Sequence, residues 1–234
     1  MNSIINNLHD IQKRIEDACK KAGRKLSDIS IIAVTKQVST ARTKEAIEAG
    51  LTHLGENRPE GLLDKQVEIK NNATWHYIGS LQTRKVRKVI NQIDYLHSLD
   101  RISLAEEIDK RAASNVNCFV QVNVSGEDSK HGLTPEEVLP FIEQLSIFPH
   151  IRVVGLMTMA PNTENQAIIR SVFKSLKNLQ LEIASKGYSY APCTELSMGM
   201  SNDYEIAIEE GATFVRIGTA LVGTKEGTLN EGEG

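Results

Sequence analysis

The sequence predicts an α/β fold built as a single closed (β/α)8 TIM barrel. Three observations carry that expectation. Eight short strand-like runs alternate with helix-like stretches along the chain. The first of them, Ile29-Ser30-Ile31-Ile32-Ala33-Val34, is β-branched and almost continuously apolar, as a parallel strand buried on both faces requires. The chain has 234 residues, which fits one such barrel with little to spare.

Taken in order, Ser3 to Ala22 reads as an amphipathic helix. Ile4, Leu8, Ile11, Ile15, Ala18 and Cys19 recur at helical spacing, and Gly23 is its natural stop. After the first strand, further strands are expected at Thr52 to Gly55, Trp75 to Ile78, Tyr95 to Ser98, Cys118 to Val124, Val153 to Met157, Thr194 to Leu196 and Thr213 to Ile217. Helices are expected near Ala41 to Ala49, Pro59 to Lys70, Arg84 to Asn91, Ile102 to Ser114, Pro135 to Ser146, Thr163 to Lys186 and Asp203 to Glu210. Pro135 suits a first helical position behind Thr134 as N-cap, and Gly50, Gly187 and Gly211 stand where helices should end. The alternative is an open doubly wound sheet. No glycine fingerprint follows the first strand, so dinucleotide binding has little support. No linker or second composition block interrupts the pattern, so residues 1–223 are expected to form one domain. The Gly- and Glu-rich stretch Thr224 to Gly234 is expected to be a tail.

Hydrophobic residues make up 40% and charged residues 24% of the chain, ordinary globular values. A net charge of -3 argues against a nucleic-acid partner, which needs a basic face. The one basic cluster, Arg84-Lys85-Val86-Arg87-Lys88, reads as a solvated helix face. Cys19, Cys118 and Cys193 are far apart and show no metal-ligand spacing; Cys19 and Cys118 read as packing residues, and packing is also the better reading of Cys193 at a strand end. No apolar run reads as a signal peptide or membrane span, and the odd cysteine count suits a reducing compartment, so a cytoplasmic protein is expected; a domain without long apolar exposed helices is compatible with a monomer.

In a barrel, function gathers where strands end and loops begin. After the first strand stands Lys36. Partial desolvation there would lower its pKa and free its amine to attack an aldehyde, although a surface lysine reaching out of the rim fits the position as well. Gly218-Thr219 follows the last strand, where barrels often hold phosphate on backbone N–H groups. Ser201 precedes a helix and can serve the same anion; Asn202 with Glu205 can form a capping box there. Arg216, if it points inward, needs either a ligand acceptor or an internal carboxylate such as Glu195. Asn57 can bond a ligand edge or shape a turn, His76 reads as a satisfied core histidine, and Met198 and Met200 read as rim packing.

Several of these stretches together resemble a known family. They are Ala33-Val34-Thr35-Lys36, His53-Leu54-Gly55-Glu56-Asn57, Trp75 to Gln82, His97-Ser98-Leu99-Asp100, Gln121-Val122-Asn123, Lys130-His131-Gly132, Gly155 to Met159, Leu196 to Ser201, and Val215 to Thr219. In this order and combination they are similar to the pyridoxal phosphate homeostasis proteins, the YggS/PROSC group, over nearly the whole chain. The resemblance implies the barrel half of alanine racemase, of PLP fold type III. It implies pyridoxal 5'-phosphate (PLP) as cofactor, carried as a Schiff base on Lys36. It further implies phosphate held by Ser201, Gly218 and Thr219, Arg216 facing the pyridine nitrogen, and Asn57 and Met198 close to the ring. An arginine beside that nitrogen disfavours its protonation, and PLP is then a poor electron sink. The function implied is intracellular PLP homeostasis without catalytic turnover, with apo PLP-dependent enzymes as possible recipients. A weakly active amino-acid racemase is the alternative, and a cofactor-free Schiff-base aldolase acting on a phosphosugar is a third. Arg84 and Arg58-Pro59 depart from the commonest pattern of the group, which puts details of ligand exchange and partner binding in doubt.

Overall fold

Local signals at both ends set the first helix, α1 (Ile4–Ala22). Ser3 accepts the Ile5 N–H, and Gly23 closes the helix in the left-handed region with φ 65°. The structure, a computed structural model, describes residues 3–70, 72–127 and 131–224. Eight strands follow: β1 (Ser30–Val34), β2 (His53–Glu56), β3 (Thr74–Tyr77), β4 (Tyr95–Leu99), β5 (Val116–Gln121), β6 (Ile151–Met157), β7 (Glu195–Met200) and β8 (Phe214–Ile217). Between and after them run α2 (Thr40–Glu48), α3 (Pro59–Ile69), α4 (Val86–Val89), α5 (Ile102–Arg111), α6 (Pro135–Gln144), α7 (Gln166–Ala184), α8 (Tyr204–Glu209) and α9 (Thr219–Val222). Each strand pairs in parallel with the next, and β8 returns to β1 through Ile32 opposite Arg216 and Ala33 opposite Ile217, so the sheet closes. The expected barrel is therefore present.

Two apolar regions hold it. The larger packs the outer faces of the strands against the helices and includes Ile15, Cys19, Leu54, Leu96, Cys118, Cys193, Met198 and Ile217. The smaller fills the barrel interior with Ile32, Phe119, Val154, Met157 and Phe214. All three cysteines are buried and free, so Cys193 is a packing residue. The helices that follow β7 and β8 are short, and α1 lies against both, completing the outer ring.

Two stretches near the site depart from the sequence expectation. The stretch Arg84 to Asn91 is one α-turn, α4, between 3-10 turns at Thr83–Lys85 and Ile90–Gln92. Only Val86, Val89 and Ile90 of it are buried, too short a stripe to carry a longer helix. β7 runs on to Met200, because Ser197 and Met200 pair with Phe214 and Arg216 across a shifted register. That pairing is invisible in a Ser-Met-Gly-Met run. The tail expected from residue 224 and the Lys130 position of the family motif lie outside the described residues, except Thr224 itself. Among the described residues no helix is long and apolar enough to cross a membrane.

Candidate functional site

The C-terminal ends of the strands bring most of the expected residues to one rim. Lys36 stands one residue beyond Thr35, on a turn closed by the Val38 N–H donating to the Thr35 carbonyl at 3.1 Å. Lys36 is exposed, and no hydrogen bond or ion pair among the described residues engages it. The expectation of partial desolvation is thus corrected: the strand end is buried, but the turn lifts the side chain clear of it.

Beneath that turn lies a buried ionic cluster. Thr35 Oγ1 donates to Glu56 Oε1 at 2.6 Å, and Lys65 Nζ donates to Glu56 Oε1 and to the Thr35 carbonyl, each at 2.5 Å. All three residues are at most 5% exposed. Sequence reasoning passed over Glu56 and Lys65. The signal was available: Lys65 falls between Leu62 and Ile69 on the buried stripe of α3, where a lysine needs an anion.

Asn57 follows β2 and is half-buried. A Cβ at Gly79 would stand 2.5 Å from the Asn57 carbonyl, so only glycine lets the β3 loop lie against Asn57.

Arg216 points inward with Phe214, as one of the two alternations required. It is buried, and burial lowers its pKa to about 10, against the opposing influence of Asp203. Its partner is not Glu195. Arg216 Nη1 donates to the Ser197 carbonyl at 2.8 Å and to Ser197 Oγ at 2.5 Å, and Nη2 donates to the Thr158 carbonyl at 2.9 Å. A guanidinium has five N–H donors. Three are used, and neither Nε nor the second Nη2 hydrogen has a partner among the described residues.

Ser197 links that cation to three histidines. Its Oγ lies 2.9 Å from His97 Nδ1; His97 Nε2 lies 2.9 Å from His76 Nδ1; His76 Nε2 lies 2.8 Å from His53 Nδ1. Arginine only donates, so Ser197 accepts from it and has one proton to pass on. The assignment that serves every atom makes His97 and His76 Nε2–H tautomers, each donating away from Arg216. Burial, and then the neighbouring cation-capable groups, push His76 and His97 well below the ordinary 6.5. His97 stacks on Phe119 at 4.4 Å and His76 on Tyr95 at 4.6 Å, which supplies the low-dielectric surroundings. His76 is therefore the satisfied core histidine expected; His97 and Ser197 are partners that the sequence reading did not identify.

Past β7 the chain turns at Ser201 to Asp203 before α8. The expected capping by Asn202 does not occur. Asp203 is the N-cap residue and its side chain caps nothing in the helix; Asp203 Oδ1 instead accepts the Met200 N–H at 2.5 Å, because the turn needs that bond to reverse direction. Gly199 has φ 91°, and a Cβ there would stand 2.6 Å from the Ala207 Cβ, so glycine is required for α8 to seat on β7. Ser201 is half-buried and lines a cleft of about 780 Å³ with Asn202, Asn162, Thr163 and Gln166. Gly218 and Thr219 stand at the end of β8, beside Val34 of β1, with Gly218 half-buried and Thr219 exposed. Met198 is fully buried in the cluster between wall and helices, so it is not brought to the rim with the others. Among the described residues no group of His, Cys, Asp and Glu could hold a metal ion.

Lys36, Asn57, Ser201, Arg216, Gly218 and Thr219 thus share one end of the barrel. They offer a free amine, an unfilled buried cation and a polar, glycine-bearing turn. These are the donor types that an anionic, aldehyde-bearing heterocycle would use.

The family model described as alanine racemase, N-terminal domain, matches residues 7–226. A pyridoxal phosphate homeostasis protein of Aquifex aeolicus is 40% identical, covering 94% of this chain and 97% of its own length. The structure of PipY from Synechococcus elongatus PCC7942 with PLP bound superposes with a TM-score of 0.82 at 32% identity, covering 94% of this chain and all of its own. An alanine racemase of Clostridium difficile shares the fold alone, with a TM-score of 0.74 at 15% identity over 58% of its length.

Proposed function

This chain belongs to the alanine racemase N-terminal domain family, and from that premise we propose that it binds PLP and acts in intracellular PLP homeostasis. The observation that carries the reading is Arg216: a buried guanidinium with two unfilled donors and no carboxylate bonded to it, beneath a rim that bears a free lysine. A pyridine nitrogen is an acceptor that matches it. Lys36 supplies the amine that holds the aldehyde. Ser201, Gly218 and Thr219 hold the phosphate, and Asn57 borders the ring. Met198 acts from behind, by packing β7 under the 201–203 turn.

PLP supplies an aldehyde that condenses with amines and a ring that withdraws electrons from them. Arg216 remains a cation at neutral pH although burial lowers its pKa to about 10, and its charge disfavours protonation of the ring nitrogen and so restrains that electron demand. This supports a binding and delivery role over turnover, in the cytoplasm, with apo PLP-dependent enzymes as recipients. The name of the Aquifex relative, pyridoxal phosphate homeostasis protein, supports the homeostasis part of this reading.

The test is direct. Purified protein is loaded with PLP, reduced with borohydride and mapped by mass spectrometry. The expected result is a phosphopyridoxyl group on Lys36, absent from Lys36→Ala, and transfer of PLP from the unreduced protein to an apo-enzyme. A protein that takes up no PLP overturns the reading. Interconversion of amino-acid enantiomers above the Lys36→Ala background would replace homeostasis with racemase activity.

A further inference from the structure

We propose that Lys65, paired with Glu56, is a positioning residue that sets the turn carrying Lys36 and thereby favours ligands that bond covalently to it. The proposal rests on the PLP reading above.

The argument runs through one carbonyl. The Thr35 oxygen accepts two hydrogen bonds: from the Val38 N–H, which closes the turn around Lys36 and Gln37, and from Lys65 Nζ at 2.5 Å. The Thr35 hydroxyl is separately tied to Glu56 Oε1. Glu56 in turn holds Lys65. Thr35 therefore has both its polar ends fixed from β2 and α3, while the next residue is exposed. Buried polar groups held on every side have one arrangement available, and rigid support of this kind is what a reactive side chain on a loop needs.

The packing is consistent with that purpose. Gly61 on α3 stands over Glu56, and a Cβ there would come within 3.0 Å of Glu56 Oε2. The helix is thus opened where the carboxylate sits. The cluster meets the chain at Thr35, the residue before Lys36, and the only atoms it holds there belong to the turn's first residue.

A positioning role and a merely structural one differ in which ligand they affect. PLP and pyridoxine 5'-phosphate share ring and phosphate, but only PLP has the aldehyde that Lys36 can take. Both dissociation constants are measured for the full chain and for the double variant E56Q/K65M, which removes both charges together. The double variant is expected to weaken PLP about tenfold, the scale of a small misplacement of a reacting group, and to leave pyridoxine 5'-phosphate within about twofold. Equal changes for both ligands, or none, overturn the proposal. If the double variant does not fold, the isosteric E56Q carries the same comparison by the same criterion. If the wild-type chain binds PLP no better than pyridoxine 5'-phosphate, it is the Lys36 premise that fails, and the positioning role fails with it.

Discussion

Two buried polar networks lie under the same rim and are built on opposite principles. Between the barrel wall and α3, Lys65 meets Glu56 and Thr35, charge against charge, with its partners all from the protein. Inside the barrel, Arg216 meets only a hydroxyl and two carbonyls, and its donors are left partly unfilled. The first is complete without a ligand. The second leaves two donors without a partner among the described residues. A buried ion pair whose partners are all present has its charges balanced from within, whereas a buried cation lacking a bonded anion can take an acceptor from outside.

Breaking one partner in each network should expose that difference. Lys65→Met strands a buried carboxylate, and we expect a loss of about 3–5 kcal/mol in the ligand-free protein, read from the guanidinium chloride midpoint. The E56Q/K65M double variant should recover part of that loss. A Lys65→Met protein as stable as wild type would show that the pair is not closed off from water.

The histidine chain gives the next largest effect. His76 and His97 are held neutral with pKa values well below the 6.5 of the unfolded chain. The stability this represents is full above pH 6.5 and is lost as the pH falls through that value toward the folded ones. Between about pH 6.5 and about pH 5.5 each histidine should contribute a slope of up to about 1.4 kcal/mol per pH unit. His76→Gln should lower the slope by about one histidine's share, and an unchanged slope would mean that the chain titrates as water-exposed groups do.

Arg216→Met should give the smallest stability change. Losing Arg216 leaves the Ser197 and Thr158 oxygens without their donor, about 1–2 kcal/mol, well below the Lys65→Met loss. PLP affinity should nonetheless fall about tenfold or more, since a charge-assisted bond of 1.4 kcal/mol or above is at stake. A variant much less stable without ligand, yet unchanged in PLP binding, would exchange the roles of the two networks.

Much of this was legible without coordinates. Period-two and period-3.6 patterns are local, so strand and helix order, the glycine stops at Gly23, Gly50 and Gly211, and the closed parallel barrel could be read from the chain. Position at a strand end marked Lys36, Asn57, Ser201, Arg216 and Gly218, because loop residues after barrel strands share a rim by topology alone. Other features depend on which elements face each other. That Arg216 bonds Ser197 rather than Glu195 follows from the pairing of β7 with β8, which sets Ser197 opposite Phe214 and leaves Glu195 further down the strand from Arg216. That Lys36 is exposed while its neighbour Thr35 is fully buried follows from a turn whose closing carbonyl is held by Lys65, thirty residues away. Such contacts join residues distant in sequence, and their energies depend on burial and on distance. Sequence determined the frame and the candidates; only tertiary packing decided which buried charges are paired and which one keeps unfilled donors.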